Sequence, residues 1–406
     1  MKRLFIVFTI TVCLPLLACA QKKVIAQART YVKSGKELAK AEKMMSDLLA
    51  DSANRGNEKI WLTLFEAVRK QYEQGNEKLY LKQSYDTATL FNTAARMFTV
   101  LEAFDSIEAT PDQKGRVKLK YRDRHAAYLN TYRPNLYNGG TFFLRRQDYA
   151  KAYQLYDAYI DCARQPLFTD YRYAATDSMM PQAAYWALYA AYKQHDAGRM
   201  MLHRSMAERD SLHIDFVTQY VAEASLWTGD TATYAAMLER GFLHTPTHPF
   251  FFPRLMDYYT SIGRADSAMV TVDRMLQADS LNQLSLFAKS TLLLNKGDND
   301  GCIDICRRLL ALNDSMPDAY CNMGLAYFNK AVATDASGKP SRKLRRQVRE
   351  LYSQSLPYME KFRQLAPEQK SKWVPVLYTI YLNLNMGQQF GEIDRIRSAM
   401  EKEKTQ

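Results

Sequence analysis

Three glycines, Gly229, Gly263 and Gly297, are separated by one interval used twice. Each lies in a short breaker: Trp227-Thr228-Gly229-Asp230, Ser261-Ile262-Gly263-Arg264 and Asn295-Lys296-Gly297-Asp298. The same interval separates Pro246, Ser280 and Asp314, where the next breakers fall. Between breakers the apolar residues recur at helical spacing. Each stretch therefore reads as an amphipathic helix, a glycine turn and a second amphipathic helix. A fixed period of this length marks one repeated supersecondary unit. A lone helix pair cannot bury its apolar face, so neighbouring pairs must stack to build a core. The expected fold is all-α, an alpha-alpha superhelix of antiparallel helix pairs. Composition agrees. With only 16 Gly and 13 Pro in 406 residues, the chain lacks the turn residues of an all-β fold.

Three units, 215–248, 249–282 and 283–316, share one register. Numbered from 1 to 34, the unit from 249 puts Phe252, Leu255, Met256, Tyr259, Gly263, Ala268, Val272 and Met275 at positions 4, 7, 8, 11, 15, 20, 24 and 27. The unit from 283 puts Leu286, Ser290, Leu293, Gly297, Cys302, Cys306 and Leu309 at 4, 8, 11, 15, 20, 24 and 27. Another unit opens at 317 with Asp318-Ala319-Tyr320-Cys321-Asn322-Met323-Gly324. An earlier one spans 133–166, with Leu136-Tyr137-Asn138-Gly139-Gly140 and then Asp148-Tyr149-Ala150. Small side chains at such positions let two helices approach, and large ones fill the gap to the next. This pattern resembles the tetratricopeptide repeat. Degenerate units are expected at 181–214 and 368–401. The unit from 317 ends near Pro367, with an insertion at 331–349. The expected organisation is a leader at 1–20, an N-terminal helical region with degenerate repeats at 21–132, and a repeat solenoid at 133–401.

The leader has a secretory layout. Lys2 and Arg3 precede an apolar run from Leu4 to Leu17, and Ala18-Cys19-Ala20 follows. Cleavage after Ala20 is the favoured processing route. Leu16-Leu17-Ala18-Cys19 also resembles a lipobox, which would leave Cys19 lipidated. The chain is expected to be exported, and periplasmic or anchored to the outer membrane accordingly. Cys162, Cys302, Cys306 and Cys321 are too few for a disulfide framework. Cys302 and Cys306 share one helix face and pair poorly with each other. A bridge from either to Cys321 on the next helix stays open, beside the reading that all are small buried apolar residues.

No nucleophile elbow, zinc-protease motif, phosphate-binding loop or dinucleotide fingerprint is present. His244 and His248 bracket a turn without further ligands. No enzymatic activity, metal or cofactor is expected. The net charge is +12, which favours anionic partners; export argues against nucleic acid among them.

The resemblance implies that the first helix of each unit lines a concave groove, with positions 2, 5, 9 and 12 toward a partner. By that numbering the groove holds Tyr137, Gln219, Glu223, Phe250, Pro253, Asp257, Thr260 and Leu284. It continues through Phe287, Thr291, Leu294, Cys321, Leu325, Phe328, Tyr378 and Tyr381. Such an apolar, aromatic surface suits an extended protein segment or a partner helix. The function expected is a non-enzymatic, protein-binding scaffold of the bacterial cell envelope. The alternative is a (lipo)protein that binds glycan or an anionic envelope polymer; only 4 Trp weigh against an aromatic glycan platform. In the insertion, a loop at 333–340 runs into Arg342, Lys343, Arg345, Arg346 and Arg349. These read as a solvated helix face or as a contact for lipid, glycan phosphate or an acidic protein. Basic residues at a helix start oppose its dipole.

Overall fold

The computed structural model describes residues 21–337 and 341–404. The leader with Cys19, and residues 338–340 of the insertion, lie outside them. The chain divides into two compact units, Met1–Thr231 and Ala232–Gln406. The described residues are all-α and contain no strand.

In the first unit, residues 21–34 form α1. It is followed by α2 (Leu38–Ala50), α3 (Glu58–Tyr80), α4 (Thr87–Glu108), α5 (Arg122–Arg145) and α6 (Tyr149–Asp161). A 3-10 segment (Pro166–Tyr171) and the single turn α7 (Tyr173–Thr176) lead to α8 (Met180–Lys193), α9 (Ala197–Ala207) and α10 (Ile214–Trp227). Consecutive helices pack from α2 to α6, then α6 on α8, α8 on α9 and α9 on α10. The second unit comprises α11 (Thr231–His244), α12 (Phe251–Ser261), α13 (Ala265–Ala278), α14 (Gln283–Lys296), α15 (Asn299–Leu312), α16 (Pro317–Ser337), α17 (Arg342–Leu365), α18 (Lys370–Leu384) and α19 (Gly387–Lys404). Its helices pair as antiparallel hairpins from α12/α13 to α18/α19.

The turn glycines do what their spacing implies. Gly229, Gly263 and Gly297 have φ of 73°, 67° and 84°, the left-handed region where a side chain is strained. His195, one repeat interval before Gly229, holds the same conformation at φ 54°. Where the next residue is an aspartate it caps the second helix. Asp196 accepts from the Arg199 backbone N–H at 2.9 Å, and Asp298 from that of Gly301 at 2.9 Å; Arg264, after Gly263, makes no side-chain cap. The constant part of the turn is thus the left-handed residue, and glycine is only its easiest version. Gln147 (φ 61°) and Asp148 repeat the device between α5 and α6.

The expected boundary at 132/133 falls inside α5, which runs unbroken from Arg122 to Arg145 through Pro134. The division into compact units falls at 231/232.

The stretch 167–180, which interrupts the period, is held by Arg133. Its guanidinium is sandwiched between the rings of Tyr159 and Tyr173 at 3.7 and 3.8 Å. It pairs with Asp177 at 2.6 Å and donates to the Tyr159 carbonyl at 3.0 Å. The Tyr159 hydroxyl donates to the same Asp177 oxygen at 2.6 Å. Burial raises the Asp177 pKa. The hydrogen bonds from Tyr159, Arg133 and the Met179 N–H, with the Arg133 charge, outweigh that and leave it below its ordinary value.

Glu102 on α4 is the opposite case. Burial, and then the charge of Asp161, push it up to about 7 from 4.5. A carboxyl whose folded pKa is raised loses stability as pH rises from its unfolded value to its folded one. Glu102→Gln is expected to be more stable than the parent by about 1–3 kcal/mol at pH 8 and equal to it at pH 4. Urea midpoints at the two pH values check this; an equal gain at both would contradict it.

Candidate functional site: a cavity between first helices

The first helices of neighbouring hairpins touch directly where α14 meets α16 and where α16 meets α18. Between α12 and α14 a cavity of about 540 Å³ opens instead. Small residues keep it open: Gly263, Ala265 and Ala268 at the turn and start of α13, and Ala288 on α14. Its apolar wall comes from Phe252, Met256, Met269 and Phe287, and its charges are Asp257, Asp266 and Lys296.

The sequence numbering places the lining well here. Pro253, Asp257 and Thr260 are positions 5, 9 and 12 of one repeat. Leu284, Phe287 and Thr291 are positions 2, 5 and 9 of the next. All six line the one cavity. Asp257 is exposed, Phe287 is half-buried, and Leu284 is 49% exposed. Thr291 accepts a hydrogen bond from Asn322 Nδ2 at 3.0 Å, which ties the cavity wall to α16. The numbering missed Met256, Met269 and Ala288. The signal available for them was the cluster of small residues flanking Gly263.

Farther along, the expected face is closed. Cys321 and Tyr381 are 4% and 0% exposed, so neither can meet a partner. Both belong to the core that α16, α17 and α18 share, and the Tyr381 hydroxyl donates to Glu360. The helices pack closely enough there to cover positions that a generic repeat leaves open. Leu325, Phe328 and Tyr378 are half-buried against the same core. Phe328 meets Tyr352 at 5.7 Å, and Tyr378 meets Phe390 at 4.8 Å. Phe250 is 5% exposed. It stands before α12 as its N-cap residue, with its ring against Phe251 at 5.3 Å and the Arg254 guanidinium over it at 3.9 Å. Leu294 is half-buried and packs against the cluster of Cys302, Cys306 and Met323.

In the first unit the equivalent face is aromatic and already self-paired. Phe216, Tyr220, Tyr192 and Trp227 form a ladder with centroid steps of 6.3, 4.3 and 5.4 Å and interplanar angles of 28°, 27° and 23°. Stacked rings spend their faces on one another. A sugar ring needs such a face free, so the ladder is poor support for the glycan reading. The polar positions are also occupied. Tyr137 donates to Gln182 at 2.9 Å, while Glu223 accepts from Tyr192 and, at 3.1 Å, from Gln219. Burial, and then Glu223, push the Tyr192 hydroxyl pKa up.

Cys162, Cys302, Cys306 and Cys321 are all free and buried. The Cys302 and Cys306 sulfurs lie 3.9 Å apart on one helix, and neither is bridged to Cys321. Among the described residues no three His, Cys, Asp or Glu side chains group as a metal site, and no helix is long and apolar enough to cross a membrane. The five cations of the insertion lie in the first two turns of α17, all exposed.

No family model and no curated protein matches the chain. Among solved structures it is similar to the TPR domain of P58(IPK), at 11% identity over 91% of this chain and 99% of that one, with a TM-score of 0.27. It is also similar to yeast Tom70, at 9% identity over 95% and 89%, with a TM-score of 0.26. A circular tandem repeat protein matches at 13% identity over 96% and 93%, with a TM-score of 0.23. At these scores the overlays carry no argument about ligand or activity. The helix hairpins, their fixed step and their left-handed turns make the architecture TPR-like in its own right.

Proposed function

We propose that the chain is a non-enzymatic scaffold of the bacterial cell envelope that holds a segment of a partner protein between α12 and α14. The observation that supports this is the cavity itself: six side chains at partner-facing positions of two adjacent repeats line one open, mostly apolar space. Phe252, Met256 and Phe287 offer a pocket for an apolar anchor, the kind of contact that dominates protein interfaces. Asp257 and Asp266 at its edge favour a segment with a flanking cation. Export rests on the leader and its two processing routes.

The test fills the pocket. Ala288→Trp places an indole in the cavity from the α14 wall, at a half-buried position with no side-chain hydrogen bond to lose. Wild type and variant are used side by side to capture proteins from envelope extract. One partner retained by the wild type and lost, by about tenfold or more, from a variant with unchanged helical circular dichroism is the expected result. Equal capture by both removes the cavity from the account.

A further inference from the structure

We infer that the start of α17 is a contact surface for an anionic phospholipid bilayer. The α16/α17 hairpin is longer than its neighbours: 21 and 24 residues, against 14 each for α14 and α15. At 1.5 Å per residue, α16 runs about 10 Å beyond the length of α14. The extension carries the basic run. Arg342, Arg345, Arg346 and Arg349 recur at i, i+3, i+4 and i+7, which sets them on one stripe about 100° wide. Lys343 borders it. The rotation of the helix is fixed from the other side. Val348, Tyr352 and Ser355 are buried, and the Ser355 hydroxyl donates to the Gly324 carbonyl at 2.7 Å. The stripe therefore faces solvent.

Four other cations of this unit are paired with carboxylates: Arg307 with Asp304, Arg363 with Glu392, Lys289 with Asp273 and Lys330 with Asp300. Among the described residues no ion pair joins any of the five cations of the run. Their arrangement costs stability. Arg342 and Arg346, and Arg345 and Arg349, are like charges at i, i+4. Arg342, Lys343 and Arg345 also sit in the first turn, at the positive end of the helix dipole. The described residues offer these charges no ion pair, which points to a partner outside the fold.

The chemistry of that partner follows from what the stripe has and lacks. Guanidinium forks match phosphate oxygens. No aromatic or large apolar side chain interrupts the stripe to anchor a protein. A charge-only surface fits a partner that is itself a dense, shapeless array of phosphates. A bilayer surface supplies that at about 1 kcal/mol per basic residue. The choice of bilayer over nucleic acid rests on the export reading, since phosphates outside the cytoplasm are chiefly those of headgroups.

The experiment sediments the full chain with vesicles of phosphatidylcholine alone, or of phosphatidylcholine with one third phosphatidylglycerol, at low and high salt. Binding is expected only to the anionic vesicles and only at low salt. Replacing Arg342, Lys343, Arg345, Arg346 and Arg349 together by Gln should weaken it by about a thousandfold or more. Replacing Arg264, Arg274, Arg307 and Arg308 by Gln lowers net charge comparably and should change binding only a few-fold. Circular dichroism checks that both variants fold. Equal binding by wild type and the stripe variant overturns the proposal. So does binding that ignores lipid charge, which would come from the N-terminal apolar run common to both chains. Tighter binding to duplex DNA than to anionic vesicles at the same salt would overturn it in favour of nucleic acid. Failure of the export reading would show separately, as unprocessed chain retained in the cytoplasm.

Discussion

Arg133→Ala is expected to cost the first unit about 3–5 kcal/mol. Its side chain is 6% exposed and that of its partner Asp177 is 14% exposed, so the substitution leaves a carboxylate in a poorly solvated place. It also empties the slot between the Tyr159 and Tyr173 rings. The stretch from 166 to 180 then loses the contact that fixes it between α6 and α8. Urea denaturation followed by circular dichroism measures the cost. Arg133→Met with Asp177→Asn removes both charges while keeping much of the volume, and should recover more than half of the loss. The parent's contribution has a pH window. Because the folded pKa of Asp177 lies below its ordinary value of 3.8, the stabilisation is intact above about pH 4 and fades as pH falls below it. A loss under about 1 kcal/mol at pH 7 would show that the stretch from 166 to 180 is held by something else.

The second large effect concerns the approach of α11 to α12. A Cβ on Gly241 would lie 2.2 Å from the Phe251 ring, and that ring is 0% exposed. Gly241→Ala must therefore move a packed aromatic, at about 1–3 kcal/mol. Phe251→Ala alone leaves a void and should cost about 3–5 kcal/mol. The double variant puts the new methyl into the vacated space. Its cost should fall short of the sum of the two by about 1 kcal/mol or more. Additive costs in the same urea titrations would mean that the two residues do not share that contact.

The hairpins were legible because a repeat forces the same side-chain sizes to recur, and the recurrence survives even where its glycine does not. His195 and Gln147 hold the left-handed turn without being glycine, and the Asp that follows each marks the helix start. Those two aspartates were the better signal. The candidate site was half legible. Positions counted along α12 and α14 line one cavity, because these helices stand apart over small residues. The same count along α16 and α18 placed Cys321 and Tyr381 toward a partner, whereas closer packing buries them. A repeat number gives the direction of a side chain from its helix; how near the next helix stands depends on residues a full repeat away. The Arg133 node was not legible, since it joins α5 to Asp177, 44 residues on, inside a stretch without period.

The central claim is that the space between α12 and α14 receives a partner segment. A photo-crosslinking amino acid placed at Leu284, 49% exposed at the rim of the cavity, in cells that make the full chain, tests it most directly. Val270, 69% exposed on α13 and outside the α12/α14 cavity lining, carries the same probe as a control. One crosslinked protein of defined mass from position 284, absent from position 270, is the predicted result. No crosslink at 284, or the same diffuse products at both positions, would contradict the claim.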